Sequence, residues 1–331
     1  MWGQEHEDAM IDLWGGCAAV CALSALGTWA ARGYALRRQL VDHPGERRSH
    51  QVATPRGGGM AIVGALLVAA AWALWQWPAQ QLPIAGAAAG FALVAGIGWW
   101  DDHRPLPARW RLAVHALAAL GWGLLVWYLS GQAWLGLLAG VFAVGLVNVW
   151  NFMDGINGLA VIQAMLAAMA YAWMLPPPWS GWGWALAAAC VGFLPFNFPR
   201  ARIFLGDGGS GGLGFALAVL FGLGLFAGLS PWSLWLPLGT FLVDAGFTLA
   251  ARMLSGQRWW EPHAQHVYQR LARRFGHAPV TLGYAVFTGI AIALFFRLQA
   301  LQPRWEAVGS IVWLLAASTI WLLLRKGLRD H

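Results

Sequence analysis

Asp101, Asp102, Asp154 and Asp207 each stand where a long apolar run ends, and between residues 60 and 305 the only other acidic residues are Asp244 and Glu261. Ionised groups beside lipid are costly, so carboxylates at these places need a reason. If the topology brings the four to one membrane face, they form one polyanionic site that attracts a divalent cation and, through it, phosphate. Asp207 lies among glycines at a helix start, in Gly206-Asp207-Gly208-Gly209-Ser210, which gives room for a bulky charged ligand. Such a carboxylate suits Mg2+, which keeps several waters and takes phosphate oxygens. The plainer account is an N-capped turn. Asn148, Asn151 and Asp154, spaced by three, occupy adjoining positions on a helix and suit polar-ligand or metal-water contacts. The adjacent Asp101 and Asp102 repel each other, and a metal or an arginine about two helical turns away would hold them. Arg109-Trp110-Arg111 follows at that distance.

Two further segments are basic. Arg56-Gly57-Gly58-Gly59 opens an apolar run, and uncovered N–H groups at a helix start beside an arginine make an anion site. Arg37 and Arg38 read more simply as a solvated basic loop. His263-x-x-His266-x-x-x-Arg270 has helical spacing that suits a phosphate cradle. Zinc is the rival, without an evident third ligand, and an amphipathic loop helix explains the segment equally well. His115, one turn after Arg111, reads as a hydrogen-bonding group within the bundle. Asp244, about two turns inside an apolar run, needs a partner and braces the site rather than reacts.

The elements that must position these residues are membrane helices. The 331 residues are 59% hydrophobic and 11% charged, against about 25% charged in soluble domains. At about 20 apolar residues per span, we count about eleven, near 9–31, 58–77, 82–100, 111–129, 131–150, 156–175, 181–198, 210–229, 231–252, 279–298 and 306–325. The expected fold class is all-α: a polytopic integral membrane helical bundle forming a single domain over 1–331. The acidic stretch before the first span (Glu5, Glu7, Asp8) and the basic one after it (Arg32, Arg37, Arg38) reverse a signal peptide and put the N-terminus outside. Of 21 Lys and Arg, only Arg297 and Arg304 then fall near an outside connection, as the positive-inside rule requires. The C-terminus and the loops near 32–57, 101–111, 151–156, 199–210 and 253–278 lie inside, with all four aspartates. The net charge of +7 thus reflects topology, and nucleic acid is not an expected partner. The 24 tryptophans suit an interfacial belt, and Cys17, Cys21 and Cys190 are packing residues.

Five motifs in order carry a resemblance: Asp42-x-Pro44-x-x-Arg47-x-x-His50 with Pro55-Arg56-x-Gly58-Gly59, Asp101-Asp102, Asn148-x-x-Asn151-x-x-Asp154-Gly155, Gly206-Asp207-x-x-Ser210 and His263-x-x-His266. From about Asp42 to Arg270 the chain resembles the polyprenyl-phosphate N-acetylhexosamine-1-phosphate transferases. The resemblance implies a bacterial inner-membrane enzyme with its active site on the cytoplasmic face. Such an enzyme moves a sugar-1-phosphate from a UDP-N-acetylhexosamine to undecaprenyl phosphate, with UMP leaving. It implies Mg2+, with Mn2+ able to substitute, at Asp207. Asp101 and Asp102 are then the catalytic pair, and Asp154 counts with the catalytic residues while lining the nucleotide and metal site with Asn151. Asn148 counts with the substrate-binding residues, as do the phosphate contacts Arg56, Arg111, His263 and His266, and Arg270. Arg111 stands where many relatives have lysine. The segment Pro262 to Leu271 is similar to the O-antigen-initiating branch, whereas the muramyl-pentapeptide branch carries three consecutive histidines. Membrane lipid is an expected partner, and a homodimer is left open. A transporter, the rival class, needs polar groups near the midplane, where only Asp244 and His115 come close.

Overall fold

The computed structural model describes residues 2–42, 52–258 and 263–328; Pro44, Arg47, His50, Glu261 and Pro262 lie outside them. The chain is helical, as expected. Its long helices are α1 (Trp2–Arg37), α2 (Met60–Gln76), α3 (Gln81–His103), α4 (Ala108–Ser130), α5 (Ala133–Met153), α6 (Leu159–Met174), α7 (Trp179–Asn197) and α8 (Gly206–Phe226). A short α9 (Pro231–Leu234) precedes α10 (Gly239–Leu254), α11 (Val267–Phe275), α12 (His277–Gln299) and α13 (Pro303–Gly327). Two short antiparallel strands, β1 (Val41–Asp42) and β2 (Thr54–Pro55), close the loop between α1 and α2.

Among the described residues, eight helical segments are long and apolar enough to cross a membrane, and α2 and α6 are shorter apolar helices. Every expected span contains a helix. The ninth is not continuous: a 3-10 turn, Leu236–Leu238, separates α9 from α10. Pro237 lies in that turn and, lacking an N–H, cannot carry a regular α-helix through. α11 is too short to span. It sets Val267, Leu271 and Phe275 along one face, with Arg270, Arg273 and Arg274 between them, the pattern of a helix lying at an interface.

α8 is the axis of the bundle and is 94% buried. A helix apolar all round belongs inside, and its glycines let neighbours approach to backbone contact. A Cβ on Gly98 of α3 would lie 2.5 Å from the Asp207 carbonyl oxygen, and one on Gly214 would meet the Leu146 carbonyl of α5. α3 and α5 therefore flank α8 closely, with their C-terminal ends beside its N-terminal end. The starts of α2 and α4 lie at the same end of the bundle.

Gly→Ala inside a helix ordinarily stabilises by about 1 kcal/mol. Gly214→Ala is expected to reverse that sign and lower the thermal unfolding temperature in detergent. Gly96→Ala, where a Cβ meets nothing within 4 Å, should leave it unchanged or raised.

Candidate active site

The site begins with the N-terminus of α8. Its first amides need acceptors, and its own N-cap residue, Leu205, offers no side-chain bond. Asp102, at the end of α3 and 3% exposed, supplies them. Its Oδ1 accepts from the Asp207 N–H at 3.1 Å and its Oδ2 from the Gly208 N–H at 3.3 Å. Gly206 makes this possible: its φ is +78°, and a Cβ there would lie 2.6 Å from Asp102 Oδ2. With the helix end capped from α3, the Asp207 side chain is free to face the loop region. Arg111 Nη1 donates to Asp207 Oδ2 at 2.6 Å and to Asp101 Oδ2 at 2.8 Å. Asp101 Oδ1 accepts from the Leu106 N–H at 2.6 Å. The arginine expected near the Asp101–Asp102 pair is thus Arg111, but it serves only Asp101. Backbone dipoles hold Asp102, whose main-chain oxygen accepts from Arg56 Nη2 at 2.6 Å.

Two glycine expectations change. The Gly58 and Gly59 amides are not open to an anion: they donate to the carbonyls of Phe204 and Leu205 at 2.9 and 2.8 Å. A Cβ on Gly59 would strike the Gly209 Cα, so these glycines let the α2 start and the α8 start touch. Likewise Gly206, Gly208 and Gly209 make room for Asp102, Met60 and Gly59 of the protein itself rather than for a ligand.

Asp154 ends α5, and Asn148 and Asn151 are half-buried on the turns before it. Asn148 Nδ2 donates to the Val144 carbonyl one turn earlier, at 2.8 Å. No hydrogen bond reaches the Asp154 or Asn151 side chain among the described residues. Burial first, then the negative fields of Asp207 and Asp102, raise the Asp154 carboxyl from its ordinary 3.8 to about 8. The space beside Gly155, which follows this carboxylate, is filled by the Tyr268 hydroxyl, which donates to the Phe152 carbonyl at 2.9 Å.

That contact brings in α11. Asp244 is 2% exposed and accepts the Val267 and Tyr268 amides at 3.0 and 3.1 Å, capping α11 from α10. It also accepts Tyr284 Oη at 2.8 Å, Trp321 Nε1 at 3.1 Å and Thr248 Oγ1 at 3.3 Å. The bracing role expected of it is what its contacts provide. His266 is buried at the N-cap of α11, its ring 4.9 Å from that of His263 and 6.3 Å from that of Phe152. Arg270 follows one turn later, half-buried. Burial, the neighbouring His266 and Arg252 lower His263 to about 4. Burial also lowers His266, against the pull of Asp244. Both rings are therefore neutral near pH 7 and offer N–H and N groups rather than charge. The charge comes from Arg252 in the last turn of α10. It is 5% exposed, its Nη2 donates to the Arg258 carbonyl at 2.7 Å, and its Nε is buried without a partner. Its only sequence signal was an arginine in the last turn of an apolar run. His115 differs from expectation: its Nδ1 is buried without a hydrogen bond.

No group of three or more His, Cys, Asp or Glu is arranged as a metal cage among the described residues. Mg2+ needs only one or two carboxylates when phosphate and water complete its shell. A cation already bridges Asp101 and Asp207, and Asp154 beside them lacks a compensating donor, so the donor set fits that ion.

The family model for glycosyl transferase family 4 matches residues 84–224, the stretch that carries all four aspartates. A decaprenyl-phosphate N-acetylglucosaminephosphotransferase of Mycobacterium tuberculosis is 30% identical over 92% of this chain and 87% of its own length. An undecaprenyl-phosphate alpha-N-acetylglucosaminyl 1-phosphate transferase of Thermotoga maritima is 26% identical over 82% of this chain and 84% of its own. A phospho-N-acetylmuramoyl-pentapeptide-transferase of a Synechococcus species is 34% identical, but over 60% of this chain and 63% of its own. The chain belongs to the polyprenyl-phosphate N-acetylhexosamine-1-phosphate transferase family within glycosyl transferase family 4.

Asp102→Ala uncaps α8 and is expected to lower unfolding stability by about 1–2 kcal/mol, measured by thermal melting in detergent. Asn151→Ala should stay within about 0.5 kcal/mol of the parent. A second prediction concerns pH. A carboxyl whose folded pKa is raised binds its proton more tightly folded than unfolded, so its contribution falls as pH rises between the two values. The lowered His263 acts oppositely, but only between about 4 and its ordinary 6.5, and the lowered His266 acts in the same sense below 6.5. Between pH 6.5 and about 8, Asp154 therefore makes the ligand-free protein less stable as pH rises, and Asp154→Asn should flatten that slope.

Proposed function

We propose that the chain transfers N-acetylhexosamine-1-phosphate from a UDP-sugar to undecaprenyl phosphate, releasing UMP, with Mg2+ held by Asp207 and Asp154. The observation that carries this reading is the Asp101–Arg111–Asp207 bridge beside the uncompensated Asp154. A site that keeps surplus carboxylate next to arginine suits a metal–phosphate pair. The names of the relatives support N-acetylglucosamine as the sugar, and the likeness of the segment Pro262 to Leu271 to the O-antigen-initiating branch supports the initiating step of O-antigen or another surface polysaccharide. The bias of basic residues supports a bacterial inner-membrane protein working at its cytoplasmic face.

An oxygen of the acceptor phosphate attacks the phosphorus bonded to the sugar, in line with the bond to the UMP oxygen, which breaks as UMP leaves. The acceptor needs little help in losing a proton, since a phosphate monoester has its second pKa near ~6. Asp102, with both oxygens occupied by α8 amides, positions Asp207 rather than acting as base or nucleophile. Asp101 orients Arg111. When bound, Mg2+ neutralises the diphosphate and the leaving oxygen. Arg111 and Arg56 bind the phosphates from the α3–α4 and α2 side. Arg252 and Arg270 do so from the α11 side, and neutral His263 and His266 offer N–H donors to the leaving group.

The test is the purified protein with undecaprenyl phosphate, Mg2+ and a panel of UDP-N-acetylhexosamines, with UMP release as the readout. UDP-N-acetylglucosamine is expected to react, and Asp207→Asn to lower kcat by at least about 100-fold without loss of folding. Full activity of that variant removes the metal role. Turnover of UDP-muramyl-pentapeptide alone would move the chain to the second branch, for which the Synechococcus similarity speaks.

A further inference from the structure

Helices α10 to α13 line a cavity of about 340 Å3 whose walls include none of the four clustered aspartates. Its walls include Val243 of α10, Leu271 and Phe275 of α11, Val280 and Gly283 of α12 and Trp321 of α13. Phe275 and Leu324 remain exposed at its rim, so it opens sideways, where a spanning helix such as α13 meets lipid. An apolar cavity does not hold water well; a hydrocarbon chain is its chemical complement.

The rim is basic. The Arg274 guanidinium lies over the Phe275 ring, 5.4 Å from its centroid, and Arg325 over the Trp321 ring at 4.9 Å. Two aromatic walls of the cavity thus each carry a cation, fixed by stacking. Arg273 and Lys326 sit beside them in the last turns of α11 and α13. No carboxylate among the described residues pairs with Arg273, Arg274 or Lys326. An apolar slot with Arg273, Arg274 and Lys326 at its mouth complements a lipid carrying net negative charge.

The geometry points to a site for one anionic glycerophospholipid of the surrounding bilayer, with an acyl chain in the cavity and its phosphate on Arg273, Arg274 and Lys326. A zwitterionic lipid brings the chain with a cancelled headgroup charge, and free phosphate brings the charge without the chain. The site is separate from the aspartate cluster but shares structure with it. Asp244, Val267 and Tyr284 line the cavity, and Asp244 caps the helix that presents His266. A lipid seated here packs against α11 and holds it where its first turn meets the active site.

The test uses the full chain in detergent with equal amounts of phosphatidylglycerol and phosphatidylcholine, read by native mass spectrometry. The wild type is expected to retain one phosphatidylglycerol in preference to phosphatidylcholine. A Cβ at Gly283 meets nothing within 4 Å, so Gly283→Leu extends into the cavity without a backbone clash and should lose that adduct. Arg273→Gln, Arg274→Gln and Lys326→Gln alter exposed side chains and should each reduce the preference about fivefold. Melting temperatures near wild type show that the variants fold. The inference is overturned if Gly283→Leu keeps the adduct or the charge variants leave the preference unchanged. It is equally overturned if undecaprenyl phosphate displaces the phospholipid one for one, which assigns the cavity to the acceptor. The readout requires no turnover, so it stands or falls separately from the proposed reaction.

Discussion

The contact on which the site rests is the capping of α8 by Asp102. α8 is buried along its length and starts at a glycine, so its first amides have neither water nor a local side chain to receive them. A buried amide left without an acceptor is costly. A carboxylate delivered from α3 satisfies two of them and meets the positive end of the helix. The same contact gives hydrogen-bond partners to a carboxyl group only 3% exposed, and explains why Gly98, Gly206 and Gly208 are small. With α3 and α8 locked end to end, Asp101 and Asp207 come within reach of one guanidinium. The two neighbours Asp101 and Asp102 therefore do different work, one toward a side-chain cation and the other toward backbone dipoles.

Asp244 repeats the arrangement for α11. It reaches from α10 to cap the Val267 and Tyr268 amides and gathers Tyr284, Trp321 and Thr248 as further donors. A buried carboxylate so surrounded is well satisfied, and removal of the charge would strand several donors at once. Through Tyr268 and the Phe152 carbonyl, α11 is tied to the turn that ends in Asp154. Two trans-caps thus assemble the two halves of the site, the aspartates around α8 and the histidines on α11.

The charge distribution follows. Burial, and after it the negative fields of Asp207 and Asp102, raise the Asp154 carboxyl to about 8, which favours its protonated form near pH 7 in the ligand-free protein. On the α11 side the histidines are neutral and Arg252 carries a buried, partly unpaired guanidinium. The site is therefore polarised before any ligand arrives: one wall suits a cation and the other an anion. A metal-bound diphosphate has that same division of charge.

Much of this was legible in the chain. The apolar runs required helices, and every expected span contains one. Carboxylates stranded at span ends, in a chain with so few of them, had to converge or be paired, and they do. The partners were not legible. Nothing local distinguishes Asp101 from Asp102, because the difference is that one faces Arg111 and the other the end of α8. The glycines around residues 57 and 206 read as openings for a ligand, because a sequence cannot say whether the space they leave is taken by the protein's own backbone. Nor does an arginine at the end of an apolar run announce that it is buried, as Arg252 is between α10 and the following loop. The break before α10 carried a proline that the hydropathy of the run concealed. Residue types and spacing alone determined the membrane-helical class, the motif set and the likeness to the transferase family, because lipid and ionised groups constrain sequence locally. Which carboxylate caps, which is bridged and which stays uncompensated was decided only by the packing of α3, α5 and α8. Those roles depend on distances between residues up to about a hundred positions apart.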